Sequence, residues 1–147
     1  MRRQHFSYEL ERAYYSQRWP QSALPYRHLE PYLRCWLDPE VVFGDKRVLD
    51  IGAGECIYTR LIAEKFKPME IVACELFLER LMPAFRESGS RNLRFVAGDC
   101  FRLPFRDATF DVVTAAFGLR NLVPLPAAAR EIQRVLVPGG TFLALDS

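Results

Sequence analysis

At 147 residues, half of them apolar, the chain is long enough for one domain with its own core. Formal charge is +2, from 20 Lys and Arg set against 18 Asp and Glu. The two signs are interspersed and Arg2-Arg3 is too short to form a basic face, so nucleic acid is not an expected partner. No apolar run approaches the ~20 residues of a membrane span, and Met1-Arg2-Arg3-Gln4-His5 leads into no signal-peptide segment. Cys35, Cys56, Cys74 and Cys100 lack Cys-x-x-Cys spacing and only two histidines accompany them. A metal site is therefore not expected, and reduced thiols in a cytoplasmic compartment are.

The chain begins with aromatics and leucines at mixed helical spacing, broken by Pro20, Pro25 and Pro31. This predicts two short helices, near Tyr8 to Gln17 and Leu29 to Leu37, within an N-terminal helical extension over residues 1–40. From Arg47 the rhythm becomes strand, helix, strand, helix, and residues 41–147 form the main domain. Strands are predicted at Arg47 to Ile51, Glu70 to Cys74, Leu93 to Ala97, Phe110 to Ala116 and Thr141 to Leu145. Helices are predicted at Ile57 to Phe66, Leu78 to Glu87 (with Pro83 a kink point) and Pro126 to Leu136, the last ended by the Pro138-Gly139-Gly140 turn. Buried apolar strands alternating with amphipathic helices imply a parallel, right-handed α/β sheet. In such a sheet ligands bind beyond the carboxyl ends of the strands, where the strand order reverses beside the first.

Three acids mark that edge. Asp50 precedes the turn Gly52-Ala53-Gly54-Glu55, Glu75 closes the second strand, and Asp99 follows the third. Gly52 and Gly54 let backbone approach a ligand without a Cβ, and the next helix offers its N-terminal amides. Asp50 can bond turn amides or meet a ligand ammonium through water. Glu75, 21 residues after Gly54, can accept both hydroxyls of a ribose, or be a solvated strand end. Asp99 can accept from an exocyclic amine while Phe101 or Leu103 covers a base, or close an Asx-turn above an apolar plug. A dinucleotide fingerprint would need glycine at position 57, which is Ile57, so a nicotinamide cofactor is disfavoured.

Asp50-x-Gly52-x-Gly54, Glu75, Gly98-Asp99-x-x-x-Leu103-Pro104-Phe105 and Phe110-Asp111-x-Val113 together resemble the class I S-adenosylmethionine-dependent methyltransferases. Phe117-Gly118-Leu119-Arg120-Asn121, with Arg130-Glu131-x-x-Arg134-Val135-Leu136-x-Pro138-Gly139-Gly140, is similar to the ubiquinone and menaquinone C-methyltransferases. The first resemblance covers about Arg47 to Ser147. It implies a Rossmann-like sheet with helices on both faces, S-adenosyl-L-methionine as cofactor and a small-molecule methyl acceptor. The cofactor site it implies comprises Asp50, Gly52, Ala53, Gly54, Glu75, Leu76, Asp99, Cys100, Phe101 and Phe117. Outside the span of the resemblance, Tyr14 and Tyr15 read either as a lid folding over the cofactor or as aromatic packing for the first helix. The quinone branch implies that Arg120 stabilises a developing phenolate or orients a water and that Asn121 positions it; a purely structural pair is the alternative. Cys56 stands where the family often has a third glycine, and its side chain is expected to point away from the ligand. The family fold continues past the fifth strand with a helix and an antiparallel hairpin, whereas this chain stops at Ser147. Strand five is then expected to be a bare apolar edge prone to self-association, in a fragment or a short member, and a cofactor-binding unit without catalysis of its own stays open beside the enzyme.

Overall fold

The computed structural model describes residues 29–116 and 122–145. The helix expected near Tyr8 to Gln17 lies outside them. The described chain begins with α1 (Leu29–Trp36) and the short α2 (Pro39–Phe43). The sequence reading did not include α2, although its start is written in Asp38-Pro39-Glu40. Asp38 is the N-cap, its carboxylate accepting the Val41 amide at 3.4 Å, and Pro39 takes the first turn, where its missing N–H costs nothing. Leu33 of α1 and Phe43 of α2 are fully buried in the same core as the sheet helices, and Phe43 stacks on Phe66 with centroids 5.9 Å apart.

Five strands follow, β1 (Arg47–Ile51), β2 (Glu70–Glu75), β3 (Leu93–Ala97), β4 (Phe110–Ala116) and β5 (Leu136–Leu145), interleaved with α3 (Ile57–Lys65), α4 (Leu78–Glu87) and α5 (Leu125–Val135). The spatial order is β3-β2-β1-β4-β5 and every pairing is parallel. The chain therefore leaves β1 toward β2 and returns on its other side through β4, which puts the reversal beside β1 as expected. Central strands read as near-continuous apolar runs, interrupted by Asp50 in β1 and by Asp111 and Thr114 in β4, because both faces are covered. On one face Val48, Ile71 and Ala73 pack under Leu61, Ile62 and Leu81 of α3 and α4. On the other, Leu49, Val72 and Val113 pack under Ala128, Ile132 and Val135 of α5. The α4 helix runs through Pro83 without a break.

The Pro138-Gly139-Gly140 segment departs from expectation. It does not end the last helix, which stops at Val135; the chain is already extended at Leu136. The glycines lie inside β5 as a bulge: Phe110 pairs with Leu136, but Val112 pairs with Thr141. Gly139 has a φ of +78°, and a Cβ at position 140 would meet the Val137 oxygen at 2.9 Å and the Asp111 oxygen at 3.1 Å. Glycine suits position 139 because of its left-handed φ and position 140 because the backbone there is pressed against the neighbouring strand.

Candidate functional site

The turn after β1 places residues 52, 54 and 56 in left-handed conformation, with φ of +65°, +56° and +62°. Two of the three are glycine. Cys56 pays for the third with strain on the order of 1 kcal/mol, and its side chain is fully buried in the core cluster with Leu61 and Ile62. The Cys56 thiol thus faces the protein interior, in line with the orientation expected from the sequence. Nothing lies within 4 Å of where a Cβ on Gly52 would stand, so the turn is open there. The Ala53 amide donates to the Cys74 oxygen at 3.1 Å, tying the turn to β2.

Glu75, not Asp50, bonds the backbone amide of the turn. The amide of Gly54 donates to Glu75 Oε2 at 2.9 Å, while Glu75 Oε1 accepts from the Phe77 amide at 3.3 Å. Asp50 is 1% exposed and accepts instead from the Thr59 hydroxyl at 2.6 Å and the Thr114 hydroxyl at 2.8 Å. The reason is register. Asp50 of β1 stands directly beside Thr114 of β4 on the same sheet face, and Thr59 lies nine residues on, in α3. Burial pushes the Asp50 carboxyl up to about 6, a shift that the two threonines oppose and the nearby Glu75 charge reinforces.

Glu75 is 5% exposed and keeps acceptor capacity, since a carboxylate offers about four lone-pair positions. The next residue, Leu76, is 58% exposed and puts an apolar surface at the strand end. An acid with spare acceptor sites, an exposed apolar neighbour and an uncovered glycine thus meet at this strand end.

Beyond β3, Asp99 Oδ1 accepts from the Phe101 amide at 2.9 Å, which makes the Asx-turn alternative real. Leu103 does not reach a ligand surface: it is 4% exposed and packs with Phe110 and Val135, so of the two candidate covers only Phe101, half-buried, stays near the edge. Gly98 is needed where the loop folds back, because a Cβ there would lie 2.9 Å from both Cys74 Sγ and Pro104 Cδ. The loop is held by a clamp absent from the sequence reading of the site. Arg134 of α5 donates to the Phe105 oxygen at 2.7 Å, the Leu103 oxygen at 3.0 Å, Asp107 at 2.9 Å and Glu131 at 2.8 Å. Glu131 in turn accepts the Leu103 amide at 2.7 Å, and the Arg134 charge beside it lowers its pKa. The Glu131-x-x-Arg134 spacing, one helical turn, was the available signal.

Burial pushes the thiols of Cys56 and Cys74 up to about 12 and that of Cys100 to about 11. They stay protonated at neutral pH and are poor nucleophiles. Among the described residues no group of three or more His, Cys, Asp or Glu could hold a metal ion, and no helix is long and apolar enough to cross a membrane. Tyr14, Tyr15, Phe117, Arg120 and Asn121 lie outside the described residues. A groove of about 660 Å³ lies elsewhere, along β3 between Arg47, Glu70, Phe85 and Phe105. Arg47 and Glu70 are the first residues of their strands, so this groove opens at the amino end of the sheet and the acids at the carboxyl end.

Residues 49–144 match the family described as "Methyltransferase domain". The chain is 38% identical over 103 residues to a demethylmenaquinone methyltransferase of Deinococcus radiodurans, covering 69% of this chain and 43% of that enzyme. It is 39% identical over 105 residues to a ubiquinone/menaquinone biosynthesis C-methyltransferase of Ectopseudomonas mendocina, covering 68% of this chain and 41% of the other. The crystal structure of the YcgJ protein of Bacillus subtilis superposes with a TM-score of 0.68 at 31% identity, over 81% of this chain and 50% of that one. The chain thus spans less than half the length of these two curated relatives. With the family model matched from the middle of β1 into β5, the chain belongs to the methyltransferase-domain family.

Proposed function

We propose that the chain binds S-adenosylmethionine across the carboxyl ends of β1, β2 and β3 and serves methylation of a ring carbon in a small quinol-like acceptor. The observation that carries the reading is the joined Gly54–Glu75 unit, a glycine turn whose amide is held by the acid at the end of the next strand. Bound cofactor would supply the electrophilic methyl group. The chain's own share is alignment and exclusion of water. Glu75 takes the ribose hydroxyls, Leu76 and Phe101 flank the base, and Asp99 accepts from its amine through the oxygen that the Asx-turn leaves over. Asp50, buried under two threonines, acts through the turn it supports. The acceptor class is supported by similarity to enzymes named for demethylmenaquinone and ubiquinone/menaquinone C-methylation. In this reading Arg120 stabilises charge developing on the acceptor and Asn121 orients it, Phe117 borders the methionine portion, and Tyr14 and Tyr15 close over the cofactor.

Calorimetry with S-adenosylhomocysteine tests the cofactor: binding with a raised melting temperature is expected, and no response to NAD. Binding of NAD without S-adenosylhomocysteine would overturn the reading. Transfer of a labelled methyl group to demethylmenaquinol tests the acceptor. The coverage of less than half of these relatives favours a second reading, a cofactor-binding unit whose catalysis depends on further chain or a partner. Cofactor binding without any transfer would select it.

A further inference from the structure

Arg80 stands at the candidate site without a part in the reading above. It sits in the first turn of α4, its amide donating to the Phe77 oxygen at 3.0 Å. Its guanidinium extends back over the glycine turn. A Cβ on Gly54 would lie 2.8 Å from Arg80 Nη2 and 3.3 Å from Cζ, so the charged plane rests against the face of Gly54 that lacks a side chain. Arg80 Nη1 is also 3.9 Å from Glu75 Oε2, the oxygen that already accepts the Gly54 amide. Both side chains are largely buried, 16% exposed for Arg80 and 6% for Glu75. A cation thus lies on the two features, bare glycine backbone and strand-end carboxylate, that a ribose would use.

We propose that Arg80 is a built-in competitor for the ribose acceptor, which must swing off Gly54 and Glu75 before the cofactor's ribose can take their place. The inference rests on the reading of Glu75 as the ribose acceptor. Its physical content is linkage: when only part of the population has the arginine withdrawn, the apparent dissociation constant rises by the inverse of that fraction. Arg80 therefore sets how tightly the cofactor is held. A long, rotamer-rich side chain in the first turn of a helix, already 16% exposed, can swing toward solvent while Leu81 and Ala84 keep α4 on the core.

Calorimetry of S-adenosylhomocysteine binding to the wild-type chain, Arg80→Met and Arg80→Lys provides the test. Met keeps length and apolar stem but removes the charge, so affinity should rise about two- to fivefold, the factor carried by one modest ion pair. Lys keeps the charge and should stay near the wild type. If Arg80→Met does not fold, Arg80→Gln carries the same expectation with a polar head. Weaker binding in Arg80→Met would make Arg80 a cofactor contact, and unchanged binding would make it packing; either overturns the proposal. Loss of binding in Glu75→Ala alongside an unchanged Arg80→Met would sink this inference alone, whereas no binding by the wild type would sink the cofactor reading beneath it.

Discussion

The Glu75 carboxylate reaches back 21 residues to accept the Gly54 amide at 2.9 Å, so the end of β2 and the turn after β1 form one unit. Removing the carboxylate has two separable effects. Glu75→Ala leaves a buried amide without its acceptor, which should lower stability by about 1–3 kcal/mol. It also removes the proposed ribose acceptor, so S-adenosylhomocysteine affinity should fall beyond what the stability loss explains. Glu75→Gln retains an acceptor for Gly54 and should recover most stability and less of the affinity. Urea unfolding with parallel calorimetry reads both, and equal affinity in all three chains would move the ribose elsewhere.

Asp50 makes stability depend on pH in a direction opposite to that of an ordinary paired carboxylate. Its folded pKa, about 6, lies above the ordinary aspartate value of 3.8 because burial opposes the charge. The folded chain then holds the proton more tightly than the unfolded chain between these values. Stability from this group is full below about pH 4 and lost as pH rises through about 6, amounting to about 3 kcal/mol. Asp50→Asn cannot ionise. The difference in unfolding free energy, wild type minus Asp50→Asn, should therefore decline between pH 4 and 7. A flat difference would show that Thr59 and Thr114 fully offset the burial cost.

The strands, their parallel order and the edge carrying Asp50, Glu75 and Asp99 were legible because apolar run length and turn residues are local signals. The partners of these acids were not. Thr114 meets Asp50 through the register of two strands 64 residues apart, which no local pattern encodes. Leu103 looks the same in sequence whether it covers a ligand or plugs a core. Pro138-Gly139-Gly140 reads as a turn by composition, yet the pairing of β4 with β5 on either side of it makes it a bulge. Arg80 escaped notice because a long side chain can act far from its own backbone position.

β5 occupies one end of the described sheet order, with Phe142 38% exposed and Thr141 and Ala144 exposed beside it. Among the described residues no strand pairs with its outer side. An apolar edge with unpaired backbone groups invites pairing with another copy. The 147-residue chain should therefore self-associate with rising concentration, and Phe142→Lys should weaken that association without lowering the melting temperature. Sedimentation of a wild type that stays monomeric at high concentration would indicate that this edge is covered.

Arg134 ties α5 to the loop that follows Asp99, through carbonyl oxygens of Leu103 and Phe105 and the carboxylates of Glu131 and Asp107. Arg134→Ala would leave two part-buried carbonyls unpaired and loosen the loop, a loss of about 1–3 kcal/mol. Arg134→Lys should recover little, since a compact ammonium cannot serve two carbonyls and two acids as the planar fork does. The loop carries Asp99 and Phe101, so cofactor affinity should fall in the same variants even though Arg134 itself lies on α5 and bonds only the far part of the loop. Hydrogen exchange would localise the effect: faster exchange at the Phe101 and Leu103 amides, with β1 and β2 unchanged, is the expected pattern. Exchange that rises uniformly across the sheet would instead mean that the arginine stabilises the domain as a whole, and the affinity loss would then carry no information about the Asp99 loop.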